Sequence, residues 1–178
     1  MTLARMNLRF SRPARRGMAL PVVLLIVSMM LVSSAASFEA ALLEARNADA
    51  VVDHLRAFHA AEAVLVLCAR ELANGSMSAP VAATQSGEPQ AWRRQDTFER
   101  QALTPVAAWP GSARPPQCLA EAWRIDSRPL VRAYLVTARG FGASEQAQSW
   151  LQAQLIFDDT GDARHIERHW RQVVARPF

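Results

Sequence analysis

The chain opens its pattern with an unbroken apolar run. From Met18 to Phe38 it reads MALPVVLLIVSMMLVSSAASF, 21 residues without a charge, about the ~20 that a helix needs to cross a hydrocarbon core. Pro21 falls in the first turn, where its missing N–H breaks no helical bond. Residues 39–72 continue in Ala, Leu, Glu and Arg without Gly or Pro, so the pattern predicts one helix over 18–74, roughly 85 Å long at ~1.5 Å per residue. Its second half places Val51, Leu55, Phe58, Ala61, Leu65, Cys68 and Leu72 at three- and four-residue steps. That is a single apolar stripe for a head to cover. Asp49, Asp53 and Arg56 then fall on the opposite, solvated or subunit-facing side. Asn74-Gly75 supplies a helix stop with glycine in the left-handed position.

Beyond Gly75 the composition shifts to Ser, Ala, Pro and Gln, including Pro80, Pro89, Pro105, Pro110, Pro115 and Pro116, which predicts connecting loops. Within it, Trp92–Leu103 reads as a short strand with Trp92 and Phe98 inward. Four clearer strands come next at 118–125, 130–138, 148–157 and 164–174. The connections Asp126–Pro129, Arg139–Glu145 and Asp158–Asp162 are turn-like, so an antiparallel meander is the economical arrangement. The predicted fold class is α+β: a long N-terminal helix packed on a roughly four-stranded antiparallel sheet. Three segments are expected, residues 1–17 as a leader, 18–74 as the helix with its apolar part at 18–38, and 75–178 as a head that helix residues from about 45 to 74 complete.

Charge changes the picture in one place. The 178-residue chain has formal net charge +4, and all 20 of its basic side chains are arginine. Five of them, Arg5, Arg9, Arg12, Arg15 and Arg16, precede Gly17 in a stretch without acid, leaving 15 arginines against 16 acidic residues afterwards. The basicity belongs to the leader, so no nucleic-acid partner is expected. Arginines on the near flank of an apolar span hold that flank in the cytoplasm and direct the residues beyond the span outward.

Three fates are open to the apolar run. A secretory signal would be cut after Ser33-Ser34-Ala35 or Ser34-Ala35-Ala36, although the run is longer than the usual apolar region of roughly 7–15 residues. A signal anchor would stay uncut. In the third, Arg15-Arg16-Gly17-Met18-Ala19-Leu20 resembles the type III leader of pilins, which a prepilin peptidase removes on the cytoplasmic side between Gly17 and Met18, leaving the helix on the mature, often N-methylated, chain.

Two further blocks share this resemblance. Ala57-Phe58-His59-Ala60-Ala61-Glu62-Ala63 is similar to the AFxAAEA segment of PilX-type minor pilins of type IV pili. Tyr134-Leu135-Val136-Thr137-Ala138-Arg139-Gly140-Phe141-Gly142, followed by Ala147 and Leu151-Gln152, resembles that family's Y.ITARG.G...A...LQ hairpin. Only the middle, about 76–114, has no counterpart. The resemblance implies a structural subunit that helps assemble or prime a pilus, with roles in adhesion, twitching motility or aggregation. Its partners would be other major and minor pilins, the prepilin peptidase, the inner-membrane assembly machinery and the lipid bilayer. It would sit as a single-pass inner-membrane protein with a periplasmic head before assembly, and in an extracellular pilus afterwards. Most major pilins carry a glutamate at the fifth mature position, where this chain has Val22; that departure resembles PilX-type pilins and the tip subunits of type II secretion pseudopili. The alternatives are such a pseudopilin, or a periplasmic binding domain released from, or held by, its signal.

Candidate chemistry adds little. Two cysteines in an oxidising compartment favour a Cys68–Cys118 disulfide over two unrelated thiols. Glu62 reads equally as a solvated helix glutamate or as the partner of an arginine in the head or an adjacent subunit. His165 and His169 have metal-ligand spacing only on a helix, and a strand is expected there. Asp158, Asp159 and Asp162 around Gly161 miss the EF-hand pattern and read as a turn. The five tryptophans read as core and packing residues. With no phosphate loop, nucleophile elbow or CxxC, no catalytic residue, cofactor or metal is expected, and the chain reads as not an enzyme.

Overall fold

The computed structural model describes residues 19–79, 87–159 and 165–178. The Gly17–Met18 boundary, the leader and Asp162 lie outside these. The order of elements is α1 (Ala19–Asn74), a 3-10 turn (Ala91–Arg93), α2 (Gln95–Gln101), β1 (Gln117–Trp123), β2 (Arg132–Phe141), β3 (Gln148–Asp158) and β4 (His165–Val173). This is an α+β chain with one long N-terminal helix and one antiparallel sheet in the order β1-β2-β3-β4.

Two compact units divide the chain after Asn47. In the first, α1 is exposed along its length, with Leu20, Leu24, Met30 and Phe38 all more than 60% exposed. By length and composition this helix suffices to cross a membrane. The second unit, Ala48–Phe178, is the head.

Inside the head, α1 ends where the sequence predicts. Gly75 takes φ +74°, its N–H donates to the Leu72 carbonyl, and the Ser76 N–H donates to that of Glu71. This paired closure satisfies carbonyls that the helix would otherwise leave open.

The buried stripe of α1 differs from the expected one. It runs through Ala57, Ala60, Ala61, Val64, Leu65, Cys68, Ala69 and Leu72, while Val51 and Leu55 are 57% and 48% exposed. Each three-residue step falls about 60° short of a full turn. Two such steps in succession, from Ala61 to Phe58 to Leu55, therefore carry the sequence stripe off the face that its lower half defines. The face continues instead toward Asp53 and Arg56. Asp53 accepts a hydrogen bond from the Ala143 N–H, and Arg56 lies under the turn at Gly111. These two residues face the head rather than solvent; Asp49 is exposed, as expected.

Strand pairing puts alternate residues on opposite faces of the sheet. One face, built from Cys118, Ala120, Val136, Ala138, Leu151, Ala153, Leu155 and Phe157, packs on α1. The other carries Leu119, Leu135 and Trp150 against Trp92 and Phe98. The sheet thus has a second covering layer, and it comes from the segment that reads as a strand in the sequence. Trp92–Leu103 is helical over Ala91–Arg93 and Gln95–Gln101. The six-residue spacing of Trp92 and Phe98 fits a strand, but Asp96 sits in the first turn and pairs with Arg100 at 3.0 Å, the i, i+4 arrangement that favours a helix.

A second difference concerns Arg139, Gly140 and Phe141. They continue β2 rather than opening the turn, with Arg139 opposite Trp150 and Gly140 opposite Ser149. The turn begins at Gly142, whose N–H donates to Ala147 O at 2.7 Å. Gly140 marks a close approach of backbones, not a break.

Candidate functional site

The helix–hairpin junction brings together the two blocks singled out in the sequence. Ala57, Ala60 and Ala61 have no exposed surface, and they lie against β2 at Gly140. A Cβ built at Gly140 would overlap the carbonyl oxygen of Ala57 and the amide nitrogen of Ala61, and would stand 3.0 Å from the Ala61 Cβ. Small residues on both sides are therefore what lets helix and strand approach. The neighbouring turn is tied down as well. Ser112 Oγ donates to Phe141 O at 2.6 Å and Ala113 N–H to Gly142 O at 2.7 Å.

On the far face of the sheet, Arg139 is buried to 2% exposure. Its guanidinium carbon lies 4.9–5.6 Å from the ring centroids of Phe98, Phe141, Trp150 and Phe178, within the range of cation–π attraction. Nη2 donates to Gln117 Oε1 at 2.6 Å and stands 3.8 Å from Glu99. Burial lowers its pKa to about 10, with the like charge of Arg114 adding to the shift. A cation held this way is a costly core residue.

Glu121 holds the same layer from below. It is fully buried, and its carboxylate accepts from the Ala91 N–H at 2.8 Å and the Trp92 N–H at 3.2 Å. Burial pushes its pKa up, an effect that these two N–H groups and the charge of Arg94 partly offset. With the folded pKa the higher one, Glu121 contributes stability that is complete below the ordinary glutamate range and is lost as pH rises through the raised value. The wild-type chain is thus expected to lose stability relative to Glu121→Gln as pH rises from the glutamate range to neutrality. Urea midpoints of the two chains at acidic and neutral pH check this, and a constant gap between them contradicts it.

The cysteines are joined: Cys68 on α1 and Cys118 at the start of β1 form a disulfide with Cα atoms 6.7 Å apart. Glu62 is exposed and lies 3.4 Å from His59 Nδ1; among the described residues this is its partner, in place of a head arginine. His165 and His169 lie on β4, paired with Asp158 and Gln154 of β3. Asp158 and Asp159 pair with Arg128 and Arg132. No group of three metal-ligating side chains converges among the described residues. Of the tryptophans, Trp92 and Trp150 are core and Trp170 is 69% exposed.

Three residues of this site escape a reading of the sequence. The drifting stripe puts Asp53 on the wrong face. Arg139 falls in an expected turn, although the strand register carried by Tyr134–Ala138 signals its true place. Glu121 lies in β1 between Ala120 and Ala122, and no local signal in the sequence marks its burial.

An apolar groove of about 510 Å³ opens between α1 and β4, lined on one side by Leu65, Val66 and Ala69 and on the other by Ile166 and Trp170. No family model, no curated protein and no solved structure matches this chain.

Proposed function

We propose that this chain is a minor pilin, a membrane-anchored subunit that enters a type IV pilus and helps assemble or prime it. The observation that carries the reading is α1 itself. One continuous helix is apolar and exposed from Ala19 to Phe38, while from Ala57 to Leu72 it forms one wall of the head's core. An anchor discarded after export has no need of such continuity. The junction of Ala57 and Ala61 with Gly140 supports the same reading, since it joins the two blocks that resemble PilX-type pilins.

The mechanism is structural. The arginine-rich flank sets the orientation, the prepilin peptidase cuts after Gly17, and the helix moves from lipid into a bundle of like helices. Contacts along Met18–Phe38 then replace lipid contacts, one apolar surrounding substituting for another. Val22, at the fifth mature position, brings no charge into that bundle, in keeping with a minor subunit. Before assembly the head stands in the periplasm.

N-terminal sequencing of the protein recovered from membranes tests this. The expected start is Met18, with a methylated amine. A start near Ala36, or an uncut Met1, overturns the proposal.

A further inference from the structure

The groove between α1 and β4 has two ends of opposite charge. Its helical wall runs from Phe58 to Asn74 and is centred on Val66, which is 51% exposed. Glu62 and Arg70 stand four residues to either side of that centre, about 6 Å along the axis at ~1.5 Å per residue. Both are exposed, and with Val66 they form one i, i+4 row of the helix surface. The strand wall adds to the polarity. Ile166 pairs with Phe157, which shares a small hollow with Leu72 and Asn74 at the C-terminal end of the helix, and Arg168 follows two residues later opposite Leu155. Arg168 therefore joins Arg70 at the basic end. Glu62, at the other end, is accompanied by His59 at 3.4 Å.

A surface of this kind is its own complement. Turning a second copy by half a revolution about an axis through Val66, perpendicular to the helix, leaves Val66 opposite Val66 and exchanges the two ends. Glu62 of each copy then meets Arg70 and Arg168 of the other. The same residues serve on both sides, which is the condition of a closed two-fold contact. The lengths agree because the wall meets itself, and no carboxylate faces a carboxylate. Pairing in the same direction is disfavoured, since it sets Glu62 against Glu62 and Arg70 against Arg70.

We infer that the heads of two copies pair through this wall, antiparallel about Val66, with the two charged ends fixing the register and the apolar centre losing its exposure to water. Trp170, 69% exposed on the strand wall, is of the residue type that anchors such contacts. Because the two-fold reverses the helix in the partner, the contact joins heads that meet from opposite directions rather than neighbours in one bilayer. It stands on the head alone and goes beyond the proposed function.

The test uses the full chain carrying Val66→Cys, in two batches of phospholipid vesicles whose copies bear different tags. Cys68 and Cys118 are joined and completely buried, so the new thiol is the one free to react. Mixing the batches under mild oxidation is expected to give a disulfide dimer that carries both tags. Val174→Cys, 95% exposed and outside the groove, is expected to give none. A second pair reads the register: Glu62→Cys in one batch should join Arg70→Cys in the other, and should not join Glu62→Cys. In the Val66→Cys chain, Glu62→Arg is expected to cut the yield about tenfold, as attractive pairs become repulsive ones, and the further changes Arg70→Glu and Arg168→Glu to restore it. Absence of the two-tag dimer, a yield at Val174 equal to that at Val66, self-joining of Glu62→Cys or indifference to the charge exchange overturns the inference. The start of the mature chain does not enter this readout, so its failure leaves the proposed function standing.

Discussion

A Gly140→Ala chain is expected to lose about 3 kcal/mol or more of head stability, at or beyond the upper end of the usual cost of overpacking. The added methyl meets two backbone atoms, Ala57 O and Ala61 N, and a third contact at the Ala61 Cβ. None of these can rotate away. Ala57 and Ala61 belong to an unbroken helix, and Gly140 to a strand paired on both sides with β1 and β3 or flanked directly by that pairing. The helix must therefore lift as a unit, opening the contacts of Val64 and Leu65 with the sheet. Interiors at crystal-like packing density have no slack for such a shift.

The control lies two residues away. At Gly142 the three atoms nearest an added Cβ all belong to the Asp53 carboxylate, the far end of a side chain that can swing aside. The cost there is the hydrogen bond from the Ala143 N–H and the part-exposed contact with Arg56, together on the order of 1 kcal/mol. Urea unfolding followed by tryptophan emission reads both, because Trp92 and Trp150 are buried. A Gly140→Ala chain that unfolds with the wild type would show that helix and hairpin do not meet as described.

The same junction separates what is legible in the sequence from what is not. Long apolar runs and helix stops are local signals, so α1 and its Gly75 closure can be read residue by residue. The four strands are readable because turn chemistry brackets them. Burial on both faces is not. Of β2's ten residues, the last seven are buried without alternation, which hides from periodicity the layer that covers the sheet's second face. That layer, α2, is seven residues long and buries only Thr97 and Phe98, too little for a periodic stripe. The alanine face of α1 is obscured for a related reason. Reading for large apolar residues favours Val51 and Leu55 over Ala57 and Ala60, yet close packing against a strand selects the small ones. Arg139 and Glu121 obey the same logic, since their roles depend on partners roughly 20 to 40 residues away in sequence and adjacent only after the sheet forms.

Removing the disulfide is expected to have the largest effect on the chain. Cys68 and Cys118 close a loop of 50 residues, and on the chain-entropy account this restriction of the unfolded chain contributes about 4 kcal/mol. The loop spans 69–117, the stretch richest in proline, and before β1 opens at Gln117 its strand-like link to the sheet among the described residues is the Leu103–Cys118 bridge. Without the covalent tie, α2 and the turn before it would be held chiefly by Glu121 and the aromatic layer. Cys68→Ala with Cys118→Ala isolates the tie without burying a hydroxyl, because both cysteines are completely buried in apolar surroundings. The pair of alanines is expected to lower the urea midpoint by the corresponding amount. Thiol titration of the folded wild type should find no free cysteine, and the same titration after denaturation and reduction should find both. The result bears on topology as well as stability. A bond of this kind forms where oxidation is maintained outside the cytoplasm, which is where the proposed function puts the head. A double alanine variant as stable as the wild type, or free thiols in the folded chain, would remove the bond and with it the support that it lends to the proposed extracytoplasmic head.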